Sequence, residues 1–390
     1  MMYFRLRPKL THFSLLRMLG TEAPKMGAAR QPNLLSATLA FEDPSAFRVK
    51  SWGELLRALG IFRLCSIPVL VNHCGKLMSV ARKLLGRRVF SLLLRPTVYA
   101  QFVAGENDRE ISQSMEKMSL LGLRPMLAVP IEEDLGESTG EKRYDDNMEA
   151  MLECVRMSHS NAWSKDPMMQ LKITALISPE LCVKLTTLIA QQPHDLDLLV
   201  RAMDGEESRS LLLEALRLSK NEGFCLGVKL VRGAYMDKER KLAEKEGRLD
   251  PIHQSWEDTN DSYNSSLDML LEVISQKPER YRIIVATHNE ESVKRASKRM
   301  EELGIDRNGG SVCFGQLLGM CDHVSLTLAK EGYAVYKSVP YGSVEDTLPY
   351  LVRRAQENRT VLQGIRKERD LLRQELRRRL RLSLSLRGGS

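Results

Sequence analysis

Six short apolar runs, each followed by a polar turn and a helical pattern, constrain the fold of this chain more than any other feature. The runs are PMLAVP (125–130), LKITAL (171–176), GVKLV (227–231), RIIVAT (282–287), SVCF (311–314) and AVYKS (334–338). Alternation of strands and helices predicts an α/β fold in which helices cover a parallel sheet. Because the runs are nearly continuous in apolar residues, we expect the sheet to be buried on both faces.

The number of these runs predicts a barrel that is incomplete. A closed (β/α)8 TIM-type barrel has eight strand–helix units, and we recognise six strands in this sequence. The segment 177–226 shows helical patterns and no convincing strand, although it separates the second run from the third. We therefore expect about two strand–helix units of a full barrel to be missing there, as a spliced isoform or a faulty gene model would produce.

The rest of the chain divides into regions that flank this barrel. Residues 1–30 are predicted to be a leader or a disordered segment, 31–122 an N-terminal helical region, 123–365 the barrel and 366–390 a basic C-terminal helix and tail. Helical patterns over 52–122 break at Pro68, and a loop is expected near Gly105.

Composition excludes several classes of protein. Of 390 residues, 43% are hydrophobic and 28% are charged, so the chain is neither disordered nor built to span a membrane. The net charge of +8 comes largely from the two terminal segments, which argues against a nucleic-acid-binding surface. Seven cysteines without a C-x-x-C pair favour a reduced compartment with free thiols.

Three segments combine cations with apolar residues. The first 21 residues contain four Lys or Arg and no acid, which is typical of a mitochondrial transit peptide, although a disordered basic tail has the same composition. The stretch 61–96 is either a helical layer over the core or a surface that lies on a membrane. The C-terminal helix over 364–390 either packs one stripe of leucines or contacts anionic lipid.

A helical pattern near residue 350 carries the strongest candidate for a binding site. In TLPYLVRRAQENR, helical spacing places Tyr350, Arg353, Arg354 and Glu357 on one face. Each guanidinium offers a fork of donors that matches a carboxylate, so two adjacent forks suit a small anionic substrate. The alternative is an ordinary exposed charged face.

Other polar residues lie in or just after the predicted strands. Lys229 points to one face of its strand, and a lysine in an apolar strand is costly unless it is paired or lines a site; Lys172 poses the same problem. Small Gly233 and Ala234 would let a flat group approach the backbone. The next such residues are Thr287, His288 and Asn289, at the C-terminal end of a strand, where parallel barrels keep their sites.

No metal site is expected from the sequence, because His253, His288 and His323 are not at ligand spacing. A phosphate-binding glycine-rich loop of the usual kinds is not recognisable either.

The motifs LKITAL, VKLVRGAYMD, ATHNEESV, CFGQLLGMCDHVS, YKSVPYG and PYLVRRAQEN, in this order, together resemble the proline dehydrogenase family. The resemblance covers most of residues 95–380 and implies a flavin enzyme on a (β/α)8 barrel. It further implies FAD as cofactor, a small imino-acid substrate, ubiquinone as electron acceptor, and a place on the matrix side of the inner mitochondrial membrane with peripheral membrane contact. Nucleic acid is not an expected partner.

The resemblance also implies roles for individual residues. Arg353 and Arg354 would bind the substrate carboxylate from a helix that crosses the barrel mouth. The other implied substrate contacts are Tyr350, Glu357, Ser338, Ala234, Tyr235 and Leu317. Lys229 and Lys172 would be the catalytic cations. The implied flavin contacts are Lys229, Val231, Arg232, Gly233, Ala234, Thr287, His288 and Asn289.

Ser338 bears on the choice of substrate. Proline-specific members of the family have a tyrosine there that packs on the substrate ring, whereas YKSVPYG resembles the hydroxyproline dehydrogenase branch. A hydroxymethyl group makes room and offers a hydrogen-bond partner, and both suit a ring that bears a hydroxyl. Two alternatives stay open: L-proline as substrate, or an inactive truncated isoform without flavin.

The sequence departs from the family where strands are expected to be missing. Two family motifs, an Asp-Ala-Glu that faces the substrate and an Asn-Thr-Tyr-Gln that contacts flavin, do not occur in 177–226. Lys172 would then lose its carboxylate partner, and a buried charge without one costs about 3–5 kcal/mol. Lost strands would also expose two sheet edges or force a tighter closure.

Overall fold

The apolar runs of the sequence become six parallel strands that form one curled sheet. A computed structural model describes residues 39–131, 141–160, 163, 167–170, 175–176, 208–233, 236–247, 249–360 and 362–387. The strands within these ranges are β1 (Arg124–Ala128), β2 (Met168–Gln170), β3 (Leu226–Val231), β4 (Tyr281–Ala286), β5 (Val312–Leu317) and β6 (Val335–Pro340).

The order of the strands is that of a barrel opened at one place. Along the sheet the order is β2-β1-β6-β5-β4-β3, and every pairing is parallel. The last strand of the chain, β6, therefore pairs with the first, which is how a barrel closes. The two edges of the sheet are β2 and β3, which follow each other among the described strands. The described strands form a half-barrel, and residues 177–207, which separate β2 from β3 in sequence, lie outside the described residues.

Helices cover the outside of the sheet. Those of the barrel region are α6 (Glu141–Ser160), α7 (Ser208–Glu222), α8 (Met236–Glu246), α9 (Trp256–Gln276), α10 (Glu290–Glu302), α11 (Asp322–Lys330), α12 (Val344–Thr360) and α13 (Leu362–Arg387). Several of these helices have a side-chain N-cap. The Ser255 side chain accepts a hydrogen bond from the backbone N–H of Asp258 at the start of α9, and the Asn289 side chain accepts one from the backbone N–H of Ser292 at the start of α10.

The N-terminal region is helical, as expected. After a 3₁₀ turn (Pro44–Val49), it contains α1 (Trp52–Cys65), α2 (Pro68–Asn72), α3 (Cys74–Leu94), a π-helical turn (Arg95–Tyr99), α4 (Ala100–Phe102) and α5 (Asp108–Leu120). Ser51 and Glu54 form a capping box at the start of α1. The break at Pro68 and the loop around Gly105 are confirmed, while the division into domains stays a prediction.

Two segments far apart in sequence meet at the N-terminus of α11. Lys50 Nζ contacts Asp322 Oδ2 at 2.7 Å. The carboxylate of Glu368, in α13, accepts hydrogen bonds of 2.9 Å from the backbone N–H groups of Cys321 and Asp322. Leu371 and Leu372 follow on α13 and are buried in the main core. This agrees with the expectation that the C-terminal helix packs a stripe of leucines.

The strand boundaries differ from the predictions at one run. Within LKITAL, Ala175 and Leu176 form a turn instead of a strand, and β2 lies earlier, at Met168–Gln170. Residues 171–174 lie outside the described residues, as do 177–207 of the segment predicted to have lost its strands. Six cysteines within the described ranges are free thiols.

Candidate functional site

Alternate residues along the strands give the sheet two faces. One face packs under the outer helices; its residues in the main core include Val285, Phe314 and Val339. We call the opposite face the lumen face. The pairing of the strands places these residues on it: Met126, Ala128, Met168, Gln170, Lys229, Val231, Ile284, Ala286, Cys313, Gly315, Leu317, Tyr336 and Ser338.

The lumen face is apolar at its centre and changes character at the C-terminal ends of the strands. Met126, Ile284, Cys313 and Tyr336 form a small buried cluster. Above it, Val231, Ala286 and Gly315 are neighbours on three adjacent strands. An added Cβ at Gly315 would lie 2.7 Å from Ile284 Cγ2, so packing requires a small residue there. These three residues form a low shelf on which a flat ring could lie.

Lys229 lies one step below this shelf, beside Ile284 on the lumen face, and is half-buried. Val231 ends β3 with 44% of its side chain exposed. The Arg232 guanidinium carbon then lies 4.9 Å from the centre of the Trp256 ring, and burial lowers the pKa of Arg232. Gly233 has φ 63°, a conformation that favours glycine. The structure therefore keeps all four residues at the open edge of the half-barrel.

His288, just after β4, is held in one tautomer. The backbone N–H of Leu317, the last residue of β5, donates to His288 Nε2 at 3.2 Å. Burial, together with the positive charges of Lys337 and Arg354, lowers the pKa of His288 to about 3. The ring is therefore neutral at physiological pH, and because Nε2 accepts, Nδ1 carries the proton. His288 can donate a hydrogen bond from Nδ1.

The neighbours of His288 stabilise the turn that follows β4. Thr287 Oγ1 accepts from the backbone N–H of Asn289 at 3.1 Å, and Asn289 Oδ1 accepts from that of Ser292 at 2.8 Å. The three residues thus occupy the C-terminal end of the strand, as the sequence predicted. Their role as flavin contacts stays a prediction.

Arg354 lies on the inner side of α12, at the mouth of the half-barrel. Its side chain is 8% exposed, and its guanidinium carbon lies 4.8 Å from the centre of the Tyr350 ring. Its charge contributes to the lowered pKa of His288, so α12 brings it close to the end of β4. Arg353, the next residue, is half-buried. The alternative of an ordinary exposed charged face is wrong for Arg354.

The turn before α12 is anchored to the N-terminal region. Tyr99 Oη donates to the carbonyl of Gly342 at 2.6 Å, and the N–H of Gly342 donates to the carbonyl of Gly105 at 2.9 Å. Tyr350 and Leu351 then pack in a cluster with residues that include Met320, after the end of β5. These contacts hold α12 beside the C-terminal end of β5.

Several predicted site residues cannot be placed. Lys172, Ala234 and Tyr235 lie outside the described residues, and the side chain of Glu357 does too, although its backbone belongs to α12. Ser338 and Leu317 are neighbours on β6 and β5, both on the lumen face. Arg354, Lys229, His288 and Ser338 therefore share the lumen or its mouth. Together they offer positive charge and hydrogen-bond donors around an apolar floor.

Sequence reasoning missed a lysine on the other face. Lys337 of β6 is 1% exposed, and its Nζ contacts Asp322 Oδ1 at 2.8 Å and the carbonyl of Met320 at 2.7 Å. Burial opposes ionisation of Asp322, but Lys337 and Lys50 hold the pKa of that carboxyl well below its usual range. The signal was present, since Lys337 interrupts an apolar strand as Lys229 does. Lys337 stabilises the outer side of the sheet and does not face the lumen.

Gln170 was also missed. It ends β2, and its Nε2 donates to Ser338 Oγ at 2.7 Å. The residue lies just before LKITAL, where only the lysine had attracted attention. No cluster of three or more His, Cys, Asp and Glu that could hold a metal ion occurs in the described part of the chain. The described helices also include none that is long and apolar enough to cross a bilayer.

Comparison with known sequences gives consistent matches. The family model described as Proline dehydrogenase matches residues 205–367. A hydroxyproline dehydrogenase of Xenopus laevis is 46% identical over 423 residues, covering 88% of this chain and 90% of that protein. The hydroxyproline dehydrogenase of Homo sapiens is 40% identical over 428 residues, covering 87% and 93%. A mitochondrial proline dehydrogenase 1 of Drosophila melanogaster is 27% identical over 550 residues, covering 88% and 81%.

The lengths of these alignments bear on the missing strands. An alignment over 423 residues is longer than the 390 residues of this chain. The Xenopus protein therefore has residues at positions where this chain has none, which supports an internal deletion. Its predicted position within 177–226 stays a prediction.

Solved structures support the fold. Proline utilization A (PutA) from Bdellovibrio bacteriovorus matches with a TM-score of 0.55 at 19% identity, over 82% of this chain and 36% of that one. A bifunctional proline utilization A protein matches with a TM-score of 0.51 at 21% identity, over 70% and 33%. This chain spans about a third of the length of those structures. The likeness establishes the half-barrel as part of a TIM-type barrel fold.

Proposed function

This chain belongs to the proline dehydrogenase family of oxidoreductases, and we propose that it oxidises trans-4-hydroxy-L-proline to a pyrroline-3-hydroxy-5-carboxylate with FAD as cofactor. The observation that carries the proposal is the burial of Arg354 at the mouth of the half-barrel, close to His288. A buried guanidinium beside a neutral donor suits the carboxylate of a small imino acid.

The two arginines of α12 would orient the substrate. Arg353 and Arg354 bind its carboxylate, and stacking on Tyr350 limits the positions that the Arg354 guanidinium can take. With the carboxylate fixed at the mouth, the imino-acid ring extends into the lumen toward Ser338. The ring carbon beside nitrogen then lies over the shelf of Val231, Ala286 and Gly315.

The described residues fit a flavin ring. The shelf is flat and apolar, and Lys229 below it supplies a cation for an electron-rich edge. Lys229 and Val231 lie on the open side of the half-barrel, so a large cofactor could enter there. Thr287, His288 and Asn289 would contact it from β4. Bound FAD supplies the hydride-accepting chemistry, while the protein binds and orients the substrate.

Ser338 favours hydroxyproline over proline in this proposal. Its side chain points into the lumen and is 7% exposed. A pocket that bonds a substrate hydroxyl discriminates against the analogue that lacks it, because its own polar groups then lose a partner. The high identity to hydroxyproline dehydrogenases from several vertebrates supports the same choice.

We propose ubiquinone as the electron acceptor. The proposed location is the matrix side of the inner mitochondrial membrane. Mitochondrial proline dehydrogenases among the relatives support the compartment. For membrane contact, α3 and its surroundings expose apolar side chains between cations, with no acid from 61 to 96. Leu84 is 80% exposed and Leu92 is 71% exposed. Such a surface suits peripheral contact with a bilayer that contains anionic lipids.

Vesicle sedimentation tests the membrane contact. The chain should bind vesicles of phosphatidylcholine with cardiolipin more strongly than vesicles of phosphatidylcholine alone. Leu84→Ser combined with Leu92→Ser should reduce binding at least tenfold, since full burial of one leucine side chain in the bilayer contributes about 1.5–3 kcal/mol. Leu120→Ser, at another residue that is 88% exposed, is the control. Equal binding by all three proteins would contradict the contact.

A second candidate is an inactive isoform without flavin. The two edges of the half-barrel favour it, because among the described strands β2 and β3 each have a neighbour on one side only. L-proline as substrate is the third possibility, and Ser338 is the residue that separates it from hydroxyproline.

The visible absorbance spectrum of the purified chain tests these possibilities. A yellow protein that is bleached by trans-4-hydroxy-L-proline, and much less by L-proline, supports the proposal. A colourless protein supports the inactive isoform, and equal bleaching by proline contradicts the substrate assignment. Ser338→Tyr should shift preference toward proline by about tenfold or more. Ser338→Ala, which keeps the space but removes the hydroxyl, separates room from hydrogen bonding.

A further inference from the structure

Gln170 and Ser338 form a polar pair that crosses an intervening strand. The two residues lie on β2 and β6, with β1 between them. Nε2 of Gln170 nevertheless lies 2.7 Å from Ser338 Oγ. A hydrogen bond of this length between two partly buried side chains fixes both of them in place.

The register of the strands explains how the amide reaches so far. Ala128 of β1 is the direct neighbour of Gln170 on one side and of Pro340 on the other. Its methyl group is too short to block the lumen face, so the glutamine side chain can pass over it. Ser338 is itself paired with Met126, two residues earlier on β1. The pair therefore depends on a small residue at position 128.

The direction of this hydrogen bond controls the serine hydroxyl. Because the amide N–H donates into Oγ, the hydroxyl proton of Ser338 is turned away from Gln170. It is then available to an acceptor oxygen in the lumen. A ring hydroxyl on the substrate supplies such an acceptor, whereas the methylene of proline does not.

We propose that Gln170 is a positioning residue for substrate selection, which orients the Ser338 hydroxyl so that it donates to the hydroxyl of trans-4-hydroxy-L-proline. This inference rests on the proposed function. It adds a residue of β2 to a specificity that would otherwise be attributed to position 338 alone. It also gives the edge strand a role in substrate recognition.

The test measures equilibrium binding, so that it does not depend on turnover. Isothermal titration of the full chain, with bound flavin reduced beforehand so that neither imino acid is oxidised, gives the ratio of dissociation constants for trans-4-hydroxy-L-proline and L-proline. Gln170→Met, a change of nearly equal length, should lower the preference for hydroxyproline about five- to tenfold, and leave the affinity for proline within about twofold. The ratio of kcat/KM values for the two substrates should fall by the same factor.

Two further variants separate positioning from general damage to the strand. Gln170→Glu keeps the shape, but an ionised carboxylate only accepts, so it draws the Ser338 proton toward itself and should also lower the preference. Met169→Leu, on the same strand but facing the helices, should leave it unchanged. In a Ser338→Ala background, Gln170→Met should have no further effect, because the hydroxyl that it orients is gone.

The outcomes distinguish this inference from the proposed function. If the wild-type chain prefers hydroxyproline and Gln170→Met keeps that preference, the inference is wrong and the proposed function stands. Additive effects of Gln170→Met and Ser338→Ala would likewise overturn it. If the wild-type chain binds neither imino acid, or prefers proline, the proposed function fails and the role of Gln170 fails with it.

Discussion

The centre of the sheet and its two edges are built from similar sequence but are buried very differently. All six residues of β6 are buried, and so are five of the six in β5. In the described strands β2 and β3, by contrast, every residue is half-buried or exposed. GVKLV of β3 is as apolar a run as SVCF of β5, so the difference comes from what lies beside each strand.

The difference follows the position of each strand within the described sheet. β6 has paired neighbours on both sides and helices over its outer face, whereas β2 and β3 each have one paired neighbour. A strand that is paired on one side only leaves more of its surface uncovered, which agrees with the lower burial of β2 and β3 in the described sheet. The candidate site draws on both regions: Ser338 and Arg354 come from the buried part, and Lys229 and Gln170 from the edges.

Removing Lys337 from the centre of the sheet should produce the largest loss of unfolding free energy, and a matched change at an edge strand should produce a smaller one. Lys337→Met leaves Asp322 buried next to Lys50 alone, and breaking such a pair costs about 3–5 kcal/mol of unfolding free energy. Lys229→Met, at the half-buried edge, should cost less than about 1 kcal/mol. Urea unfolding measures both. Similar losses in the two variants would show that edge and centre are equally buried in solution.

Glycines offer a second matched pair. Gly319 has φ 76°, and a Cβ there would lie 2.0 Å from the carbonyl oxygen of Gln101. Gly319→Ala should therefore cost about 2–4 kcal/mol through backbone strain and displacement of α4. Gly233 has a similar φ of 63°, but its nearest neighbour is the flexible end of Met236 at 3.2 Å. Gly233→Ala should cost about 1 kcal/mol. Equal melting temperatures would contradict this.

Hydrogen exchange compares the strands without mutation. Backbone amides of β2 and β3 should exchange about a hundredfold faster than those of β5 and β6, because opening an edge exposes less surface than opening the centre. Exchange detected by mass spectrometry on peptides from each strand checks this. Uniform protection would mean that the gap is closed by some other part of the protein.

The smallest expected effect concerns His288 and pH. Its pKa of about 3 in the folded chain lies below the ordinary 6.5. Between these values the unfolded chain binds a proton that the folded chain does not. The stability that neutral His288 provides is therefore complete above pH 6.5 and is lost as pH falls.

His288→Gln tests this linkage. From pH 6.5 to pH 5, the slope of unfolding free energy against pH should decrease by at most about 1.4 kcal/mol per unit. His253→Gln, at an exposed position, is the control. An unchanged slope in His288→Gln would show that the ring takes up a proton in the folded protein.

Much of the architecture was predictable because apolar runs and turns report local structure directly. Five of the six predicted strands lie within a few residues of their observed positions, and the helical N-terminal region breaks at Pro68 as expected. In LKITAL the prediction was wrong at Ala175 and Leu176, because a short apolar run does not by itself decide where a strand ends, and the other four residues lie outside the described residues. Apolarity alone does not reveal how many paired neighbours a strand will have.

The site was only partly predictable, for a physical reason. Burial of Arg354 and the position of Ser338 agree with the motifs that suggested them. The contacts between Leu317 and His288, between Gln170 and Ser338, and between Lys337 and Asp322 depend instead on register and on long-range packing. A strand buried on both faces also carries no alternation to show which lysine faces the lumen.

The meeting of residues 41–50 with α13 at the start of α11 has a consequence for how the protein acquires its structure. Lys50 and Asp322 are 272 positions apart, and Lys367 and Glu42 are 325 apart. Contacts of such wide separation slow the search for the native state. The sheet can assemble from neighbouring segments, but these two ion pairs form only when the segments at both ends of the described chain are available. A chain that is still being synthesised therefore cannot complete these contacts until α13 has been made.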